Sequence, residues 1–122
     1  EAPVRTLVTG FTHEEAYAVM KQESATIDYD LVVGATDNIA MGALRYIKES
    51  GKNVPDDIKV VGIGNYEVGT YLSPTLTTLD IDYKGFGNNA ALYMLDLLKE
   101  EIATDEKKAI EYTLIERETS QS

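Results

Sequence analysis

The chain has 122 residues, with 11 Lys and Arg against 21 Asp and Glu, so its formal net charge is -10. This length suits one compact domain or two small lobes, and a content of 43% hydrophobic and 26% charged residues is typical of a globular protein. The acidic balance argues against direct nucleic-acid binding by this segment, because phosphates require clustered Lys and Arg. The absence of cysteine excludes disulfides, thiolate metal sites and cysteine nucleophiles.

The longest apolar runs, residues 31–35 and 60–63, are far too short to cross a membrane. The sequence starts at Glu1 without a basic-then-apolar leader, so it resembles an excised or processed piece in which a signal peptide would not be visible. We expect a cytoplasmic protein. The lack of cysteine agrees with that location, although many exported bacterial proteins also lack cysteine.

Local patterns predict that strands and helices alternate from the amino terminus. Residues 4–9 are a β-branched run that predicts a strand, and the T-x-x-E pattern from Thr12 to Glu15 is a capping box that predicts a helix ending near Glu23. Residues 31–35 predict a strand that is apolar on both faces, as strands are in parallel sheets covered by helices.

Asp37 is predicted to cap a second helix, which ends at Gly51. A third, amphipathic helix is predicted from Tyr83 to Glu101, followed by a charged connector at residues 104–108. Further strands are predicted at residues 59–63, 76–80 and 111–118. The order β-α-β-α-β-β-α-β indicates an α/β fold with a mainly parallel sheet flanked by helices.

Loops that bind ligands gather at the carboxyl ends of the strands of a parallel sheet. In this chain they are residues 10–12, 35–38 and 63–67, which we expect to share one edge.

Two glycine patterns suggest a dinucleotide site, but weakly. Residues 62–64 follow a strand, yet Glu67 stands where a third Gly or Ala is needed, and its carboxylate would repel a pyrophosphate. Residues 85–90 match G-x-G-x-x-A at a helix start, with only one strand after them. We interpret both patterns as turns or helix entries and predict no cofactor.

Catalytic machinery is not visible in the sequence. His13 is the single histidine and is expected to be solvated, and no G-x-S-x-G pattern is present. The paired acids at residues 56–57, and Asp80 with Asp82, are interpreted as solvated loop and strand-end residues. We therefore predict no metal site and no enzymatic activity, and favour a binding function.

Four ordered motifs resemble those of the LacI/GalR family of transcriptional regulators. Residues 35–45, ATDNIAMGALR, resemble A-N-D-x-x-A-x-G-A-L-R, and residues 50–62, SGKNVPDDIKVVG, resemble G-x-x-V-P-x-D-I-x-V-V-G at the family's spacing. Residues 72–79, LSPTLTTL, are similar to L-x-P-P-L-T-T-V, and residues 114–119, LIERET, close the series. The family's G-D-F-x-x-x-x-G-Y stretch is matched at Gly10, Phe11, Thr12 and Tyr17.

The resemblance implies a periplasmic-binding-protein-like core of two lobes, with a helix-turn-helix headpiece that this sequence does not contain. Residues 1–80 then form a second-lobe, effector-binding α/β subdomain. Residues 81–109 form a crossover helix segment of the first lobe, and residues 110–122 a returning strand and tail.

The resemblance further implies a sugar or sugar-phosphate effector. The matched positions are Phe11, Thr36, Gly64, Asn65, Ile81 and Tyr83. Phe11 matches an aromatic that packs on the ligand, Thr36 replaces a hydrogen-bonding Asn, and Gly64 replaces an acid that holds sugar hydroxyls. Asn65 could compensate for that acid. The alternative is that Thr36, Gly64 and Asn65 only form strand-end turns.

The family's dimer interface uses the second helix and the loop before the L-T-T strand. Here those positions are Met41, Arg45, Lys48, Tyr71 and Leu72. The predicted function is effector binding and homodimerisation in a sugar-responsive regulator, a repressor of carbohydrate utilisation that reaches operator DNA through its headpiece. The alternatives are a lobe of a periplasmic-type sugar-binding transport protein and, from residues 85–90 alone, a dinucleotide enzyme.

Overall fold

The computed structural model describes residues 3–23, 28–99 and 109–121. The elements are α1 (His13–Glu23), β1 (Leu31–Val33), α2 (Asp37–Glu49), β2 (Lys59–Ile63), a 3-10 turn (Glu67–Thr70), β3 (Thr77–Ile81), α3 (Tyr83–Leu98) and β4 (Tyr112–Ile115). The strands form one sheet in the order β1-β2-β3-β4, in which β1, β2 and β3 are parallel and β4 is antiparallel to β3. The predicted α/β class with a mainly parallel sheet is therefore confirmed.

The hydrophobic core lies between α2 and one face of the sheet, with α1 packed on α2. Its buried members are Met20, Ala40, Ala43, Leu44, Ile47, Ile58, Val60 and Leu76. Gly42 allows the two helices to approach closely, because a Cβ there would stand 2.2 Å from the carbonyl oxygen of His13. The apolar spacing of α2 thus buries one stripe of that helix.

Thr119 joins β2 to β3 where the two strands begin. Its hydroxyl donates to the Val60 carbonyl at 2.7 Å and accepts from the Thr77 amide at 2.9 Å, while its own carbonyl accepts from the Val60 amide at 3.0 Å. The carboxyl-terminal tail is therefore part of the sheet's hydrogen-bonded framework.

The second face of the sheet is largely uncovered. Residues that alternate with Val60 and Gly62 along the strands point away from α2, and among them Leu31, Val33 and Leu114 are 52%, 60% and 52% exposed. No residue of α3 is buried. The described part of the chain is thus covered by helices on one side of the sheet only.

The capping box that predicts α1 is confirmed. The Glu15 carboxylate accepts hydrogen bonds from the Thr12 amide at 3.1 Å and the Thr12 hydroxyl at 2.8 Å, and the Glu15 amide donates back to that hydroxyl at 3.2 Å. These bonds hold the pKa of the Glu15 carboxyl below its usual range, with the side-chain bond the largest cause.

The first predicted strand is wrong. Residues 4–9 form no strand; Val4 and Val8 are 91% and 87% exposed, and only Leu7 packs against the core. A β-branched run has strand propensity, but a strand also requires a partner for its backbone groups, and this segment makes no ladder with the edge strand β1.

The strand predicted at residues 31–35 is shorter and less buried than expected. β1 ends at Val33 and is the edge of the sheet, so its outward-facing side chains are exposed. In β2, Val60 is buried whereas Val61 and Ile63 are half-buried, so this strand is not fully buried on both faces either.

The third helix and the last two strands differ in detail. β3 begins one residue later than predicted, and β4 covers only the middle of residues 111–118. The helix predicted as far as Glu101 is described up to Leu98, and Glu101 and the connector at residues 104–108 lie outside the described residues. None of the helices in the described ranges combines the length and the apolarity needed to cross a bilayer.

Candidate functional site

Asp37 joins the loops that follow β1 and β2. The residue is fully buried, and its Oδ2 accepts from the Tyr66 amide at 2.7 Å while its Oδ1 accepts from the Thr78 hydroxyl at 2.6 Å. Gly62 leaves the space for this carboxylate, since a Cβ there would lie 2.2 Å from Oδ1. Two of the three loops predicted to share an edge, residues 35–38 and 63–67, therefore meet at this side chain.

The predicted helix cap is corrected from Asp37 to Thr36. Thr36 has extended backbone angles and its hydroxyl accepts from the Ile39 amide at 3.3 Å, which is the geometry of an N-cap. Asp37 is the first helical residue, and its carboxylate turns into the sheet. Both residue types are good caps, and only the tertiary neighbours Gly62 and Thr78 decide between them.

The turn after β2 is held in an unusual backbone conformation. Gly64 has φ 124° and Asn65 has φ 52°, both in the region that favours glycine. The Gly64 amide donates to the Leu79 carbonyl at 2.8 Å, and the Asn65 amide donates to the Thr78 hydroxyl at 3.1 Å. A Cβ on Gly64 would stand 2.5 Å from Cε1 of Tyr66. In this conformation position 64 has no room for the acid that the family resemblance leads one to expect.

Arg117 is a site residue that sequence reasoning missed. Its Nη2 donates to Oδ1 of Asn65 at 2.8 Å, and its Nη1 donates to the Leu76 carbonyl at 2.8 Å. The arginine lies inside the closing LIERET motif, which carries part of the family resemblance. This motif was the signal in the sequence that could have pointed to Arg117.

The remaining effector candidates are Phe11, Ile81 and Tyr83. Ile81 and Tyr83 line an open cavity of about 410 Å³ together with Asp80, Asp82 and Glu111. Tyr83 is 56% exposed and Phe11 is 82% exposed. Within the described ranges, no hydrogen bond or ring contact joins Phe11 to the turn or to the cavity. The structure thus places Thr36, Gly64 and Asn65 on the two loops that Asp37 joins, and it leaves the aromatic candidates exposed.

The start of α3 is unsuited to a pyrophosphate. The Asp82 carboxylate accepts from the Gly85 amide at 2.9 Å, so it already occupies a donor that a bound anion would use. Asp82 and Glu111 also line the cavity of about 400 Å³ beside residues 85–90, and both acids would repel an anion. In the described part of the chain, no group of three or more His, Cys, Asp or Glu residues is placed to hold a metal ion.

The candidate dimer residues lie in different environments. Tyr71 is 78% exposed, whereas Met41 and Leu72 are half-buried and pack against the core. The dimer prediction places both Met41 and Tyr71 at an exposed interface, but only Tyr71 is exposed. Lys48 donates through Nζ to the Ser73 carbonyl at 2.6 Å, which ties α2 to the loop before β3.

Arg45 belongs to a cluster that links α2 to α1. Its Nε donates to Glu49 Oε1 at 2.9 Å, and its guanidinium lies 5.1 Å from the centre of the Tyr17 ring. The Tyr17 hydroxyl donates to Glu49 Oε2 at 2.5 Å. This bond raises the pKa of Tyr17, and together with Arg45 it lowers the pKa of Glu49.

The family model of the periplasmic binding protein-like domain matches residues 2–120. The chain belongs to the periplasmic binding protein-like domain family. The HTH-type transcriptional regulator GanR of Bacillus subtilis strain 168 is 32% identical over 98 residues, which are 78% of this chain and 30% of GanR.

Solved structures agree with this assignment. A complex of the transcriptional regulator CelR with cellobiose is 27% identical with a TM-score of 0.78, over 92% of this chain and 35% of that one. A LacI family regulator of Enterococcus faecalis V583 with bound ribose is 26% identical with a TM-score of 0.74, over 92% and 42%. The resemblance to LacI/GalR regulators and the periplasmic-binding-protein-like fold are confirmed. The chain spans less than half of each of these proteins.

Proposed function

We propose that this chain is the effector-binding and dimerising portion of a LacI/GalR-type transcriptional regulator that responds to a sugar or sugar-phosphate. The relatives reported above are transcription regulators, and two of the solved ones hold cellobiose or ribose. The observation that carries the proposal within this chain is the buried Asp37, which brings Thr36 and residues 64–66 to one edge of the sheet.

The proposed regulator is a repressor of carbohydrate utilisation that acts in the cytoplasm. Contact with operator DNA is assigned to a headpiece outside this sequence, since a segment with a net charge of -10 is a poor partner for phosphates. A lobe of a sugar-transport protein shares the fold, but the relatives favour the regulator.

The chemistry of the edge fits a polyhydroxylated ligand bound only partly by this lobe. Thr36 uses its hydroxyl as a cap acceptor and can still donate, and Gly64 offers no side chain. Each hydrogen bond exchanged with water contributes only about 0.5–1.5 kcal/mol. We therefore expect the 122-residue chain alone to bind sugars no more tightly than about millimolar, equivalent to about -4 kcal/mol.

Calorimetry of the chain against a panel of mono- and disaccharides that includes cellobiose and ribose tests this proposal. Weak binding of one or more sugars, at or above millimolar dissociation constants, is the expected result. The absence of heat with every sugar at saturating concentration counts against an effector site, and micromolar affinity would mean that the half-site is more complete than the structure indicates.

The dimer is a separate part of the proposal. The proposed contact surface combines residues of α2 with residues directly after the 3-10 turn. They are Met41, Arg45 and Lys48 on α2, and Tyr71 and Leu72 after the turn. Tyr71 is 78% exposed and Met41 is half-buried, and both Tyr and Met are enriched at protein interfaces. Sedimentation at micromolar concentration should show a species of twice 13.4 kDa, whereas a mass of 13.4 kDa alone contradicts the dimer.

The division of the chain is also proposed. Residues 1–80 are assigned to the second lobe, residues 81–109 to a crossover segment of the first lobe and residues 110–122 to the returning strand and tail. The support is that α3 buries none of its residues against the sheet. Limited proteolysis should cleave within α3 before it cleaves within α1 or α2. Equal susceptibility along the whole chain would contradict this division.

A further inference from the structure

We infer that Arg117 is a positioning residue for the turn of residues 64–66. It orients the side-chain amide of Asn65 so that the turn offers hydrogen-bond donors to a ligand. The inference rests on the proposed function only in assigning this turn to an effector.

Arg117 connects the turn to the start of β3. The Arg117 amide donates to the Thr77 hydroxyl at 2.8 Å, and its Nη1 donates to the Leu76 carbonyl at 2.8 Å. Its Nη2 donates to Oδ1 of Asn65 at 2.8 Å. One end of the guanidinium is thus anchored on the sheet framework while the other holds the turn.

The turn receives such a support. Asn65 has φ 52°, a conformation that is uncommon for residues with a Cβ although Asn tolerates it better than most, and its surroundings hold it there. Two hydrogen bonds hold Asn65 in this conformation: its backbone amide donates to the Thr78 hydroxyl, and its side-chain Oδ1 accepts from Arg117. Thr78 is fixed in turn by Asp37. The turn is therefore clamped from α2 on one side and from the carboxyl-terminal tail on the other.

The same contact decides which end of the Asn65 amide is available. A guanidinium carries only hydrogen-bond donors, so Arg117 binds the side-chain oxygen of Asn65 and makes no bond to the Nδ2 protons. No described residue accepts a hydrogen bond from Nδ2, and Asn65 is half-buried. The Asn65 side chain accordingly keeps its two Nδ2 protons and one lone pair of Oδ1 beside Gly64, where the family resemblance implies an acid. The turn therefore suits a ligand that presents acceptor oxygens at this position, such as a ring or glycosidic oxygen.

Hydrogen exchange of the sugar-free chain tests the positioning. We compare Arg117→Met with Arg5→Met, a matched control that removes an exposed pair with Glu23. Arg117→Met should speed exchange of the Asn65 and Tyr66 amides about 10- to 100-fold, while exchange of the buried Val60 and Leu44 amides stays unchanged. Arg5→Met should leave the Asn65 and Tyr66 amides at the wild-type rate. Equal rates for these two amides in Arg117→Met and wild type overturn the inference.

Variants of Asn65 test the contact from its other side. Asn65→Asp keeps the acceptor and should keep the slow exchange of the Tyr66 amide. Asn65→Gly tolerates the backbone conformation but removes the acceptor of Nη2 while the bond from Nη1 to the Leu76 carbonyl remains. In this variant the two Nη2 protons of Arg117 should exchange positions rapidly and give one averaged signal in cold NMR spectra, where wild type shows separate signals. Averaged Nη signals in wild type, or rapid Tyr66 exchange in Asn65→Asp, contradict the inference. All these readouts are made without sugar, so failure of the effector proposal is detected separately by calorimetry.

Discussion

Asp37 stabilises the site through two neutral donors. In the described part of the chain its carboxylate has no cationic partner, and the Tyr66 amide and the Thr78 hydroxyl satisfy one oxygen each. Full burial makes any unpaired group at this place costly. The residue therefore contributes to stability and to the shape of the turn together.

Asp37→Ala should lower the free energy of unfolding by about 2–4 kcal/mol, because the Tyr66 amide and the Thr78 hydroxyl proton lose their acceptor. Asp37→Asn should cost only about 1 kcal/mol, since its amide can accept from Tyr66 and donate to Thr78. Urea unfolding of both variants measures the difference. Equal losses of unfolding free energy in Asp37→Ala and Asp37→Asn would contradict the stabilising role assigned to the hydrogen bonds of Asp37.

Thr36 contributes to the stability of the chain as the N-cap of α2. Thr36→Ala should destabilise the chain by about 1 kcal/mol through loss of the cap of α2, and Thr36→Ser should not. Thermal unfolding measures both effects. If Thr36→Ala unfolds at the wild-type temperature, the cap bond at 3.3 Å contributes little.

Among the elements, those specified by local interactions were predicted well and those that depend on distant partners were not. The capping box of α1 and the buried stripe of α2 follow from residues a few positions apart. Residues 4–9 failed as a strand because they lack a ladder partner. Asp37 was misassigned because Gly62 and Thr78 lie more than 20 positions away in sequence, and Arg117 was missed because its partner Asn65 lies farther still.

The capping box of α1 predicts a pH dependence. The bonds from Thr12 hold the pKa of Glu15 below its usual range, so the ionised form is favoured in the folded chain. A carboxyl with a lowered folded pKa stabilises the fold fully above its ordinary pKa of about 4.3 and loses that contribution as the pH falls through the folded value. An NMR titration of the Glu15 carboxyl should give a midpoint below the ordinary value. The same midpoint in Thr12→Val would refute the assigned cause.

At the scale of the whole molecule, the described chain has one covered and one largely uncovered sheet face. Apolar side chains remain on the uncovered face and on α3, including Leu98 at 74% exposure. Parallel sheets normally have helices on both faces. The fold class and the order of the elements from Leu31 onward were predictable from patterning. Which faces of the sheet stay exposed was not predictable, because that depends on which helices pack back on the sheet.

Leu98→Lys should change the free energy of unfolding by less than about 0.5 kcal/mol and should reduce binding of a hydrophobic dye. The matched change in the core, Leu44→Ala, should cost about 2–5 kcal/mol because Leu44 is 4% exposed. Urea unfolding and dye fluorescence check both variants. A loss of more than 2 kcal/mol in Leu98→Lys would mean that α3 is packed more tightly than the structure shows.

The most direct test of the central claim is an amide NMR titration of the chain with cellobiose and with ribose. If the carboxyl edge of the sheet is an effector site, at least one sugar should shift the resonances of Thr36 and residues 64–66, saturating at or above millimolar concentration, while the core resonances of Val60 and Ile47 stay in place. Sugar-dependent shifts confined to other surfaces, or none at saturating concentration, would contradict the assignment of this edge to an effector.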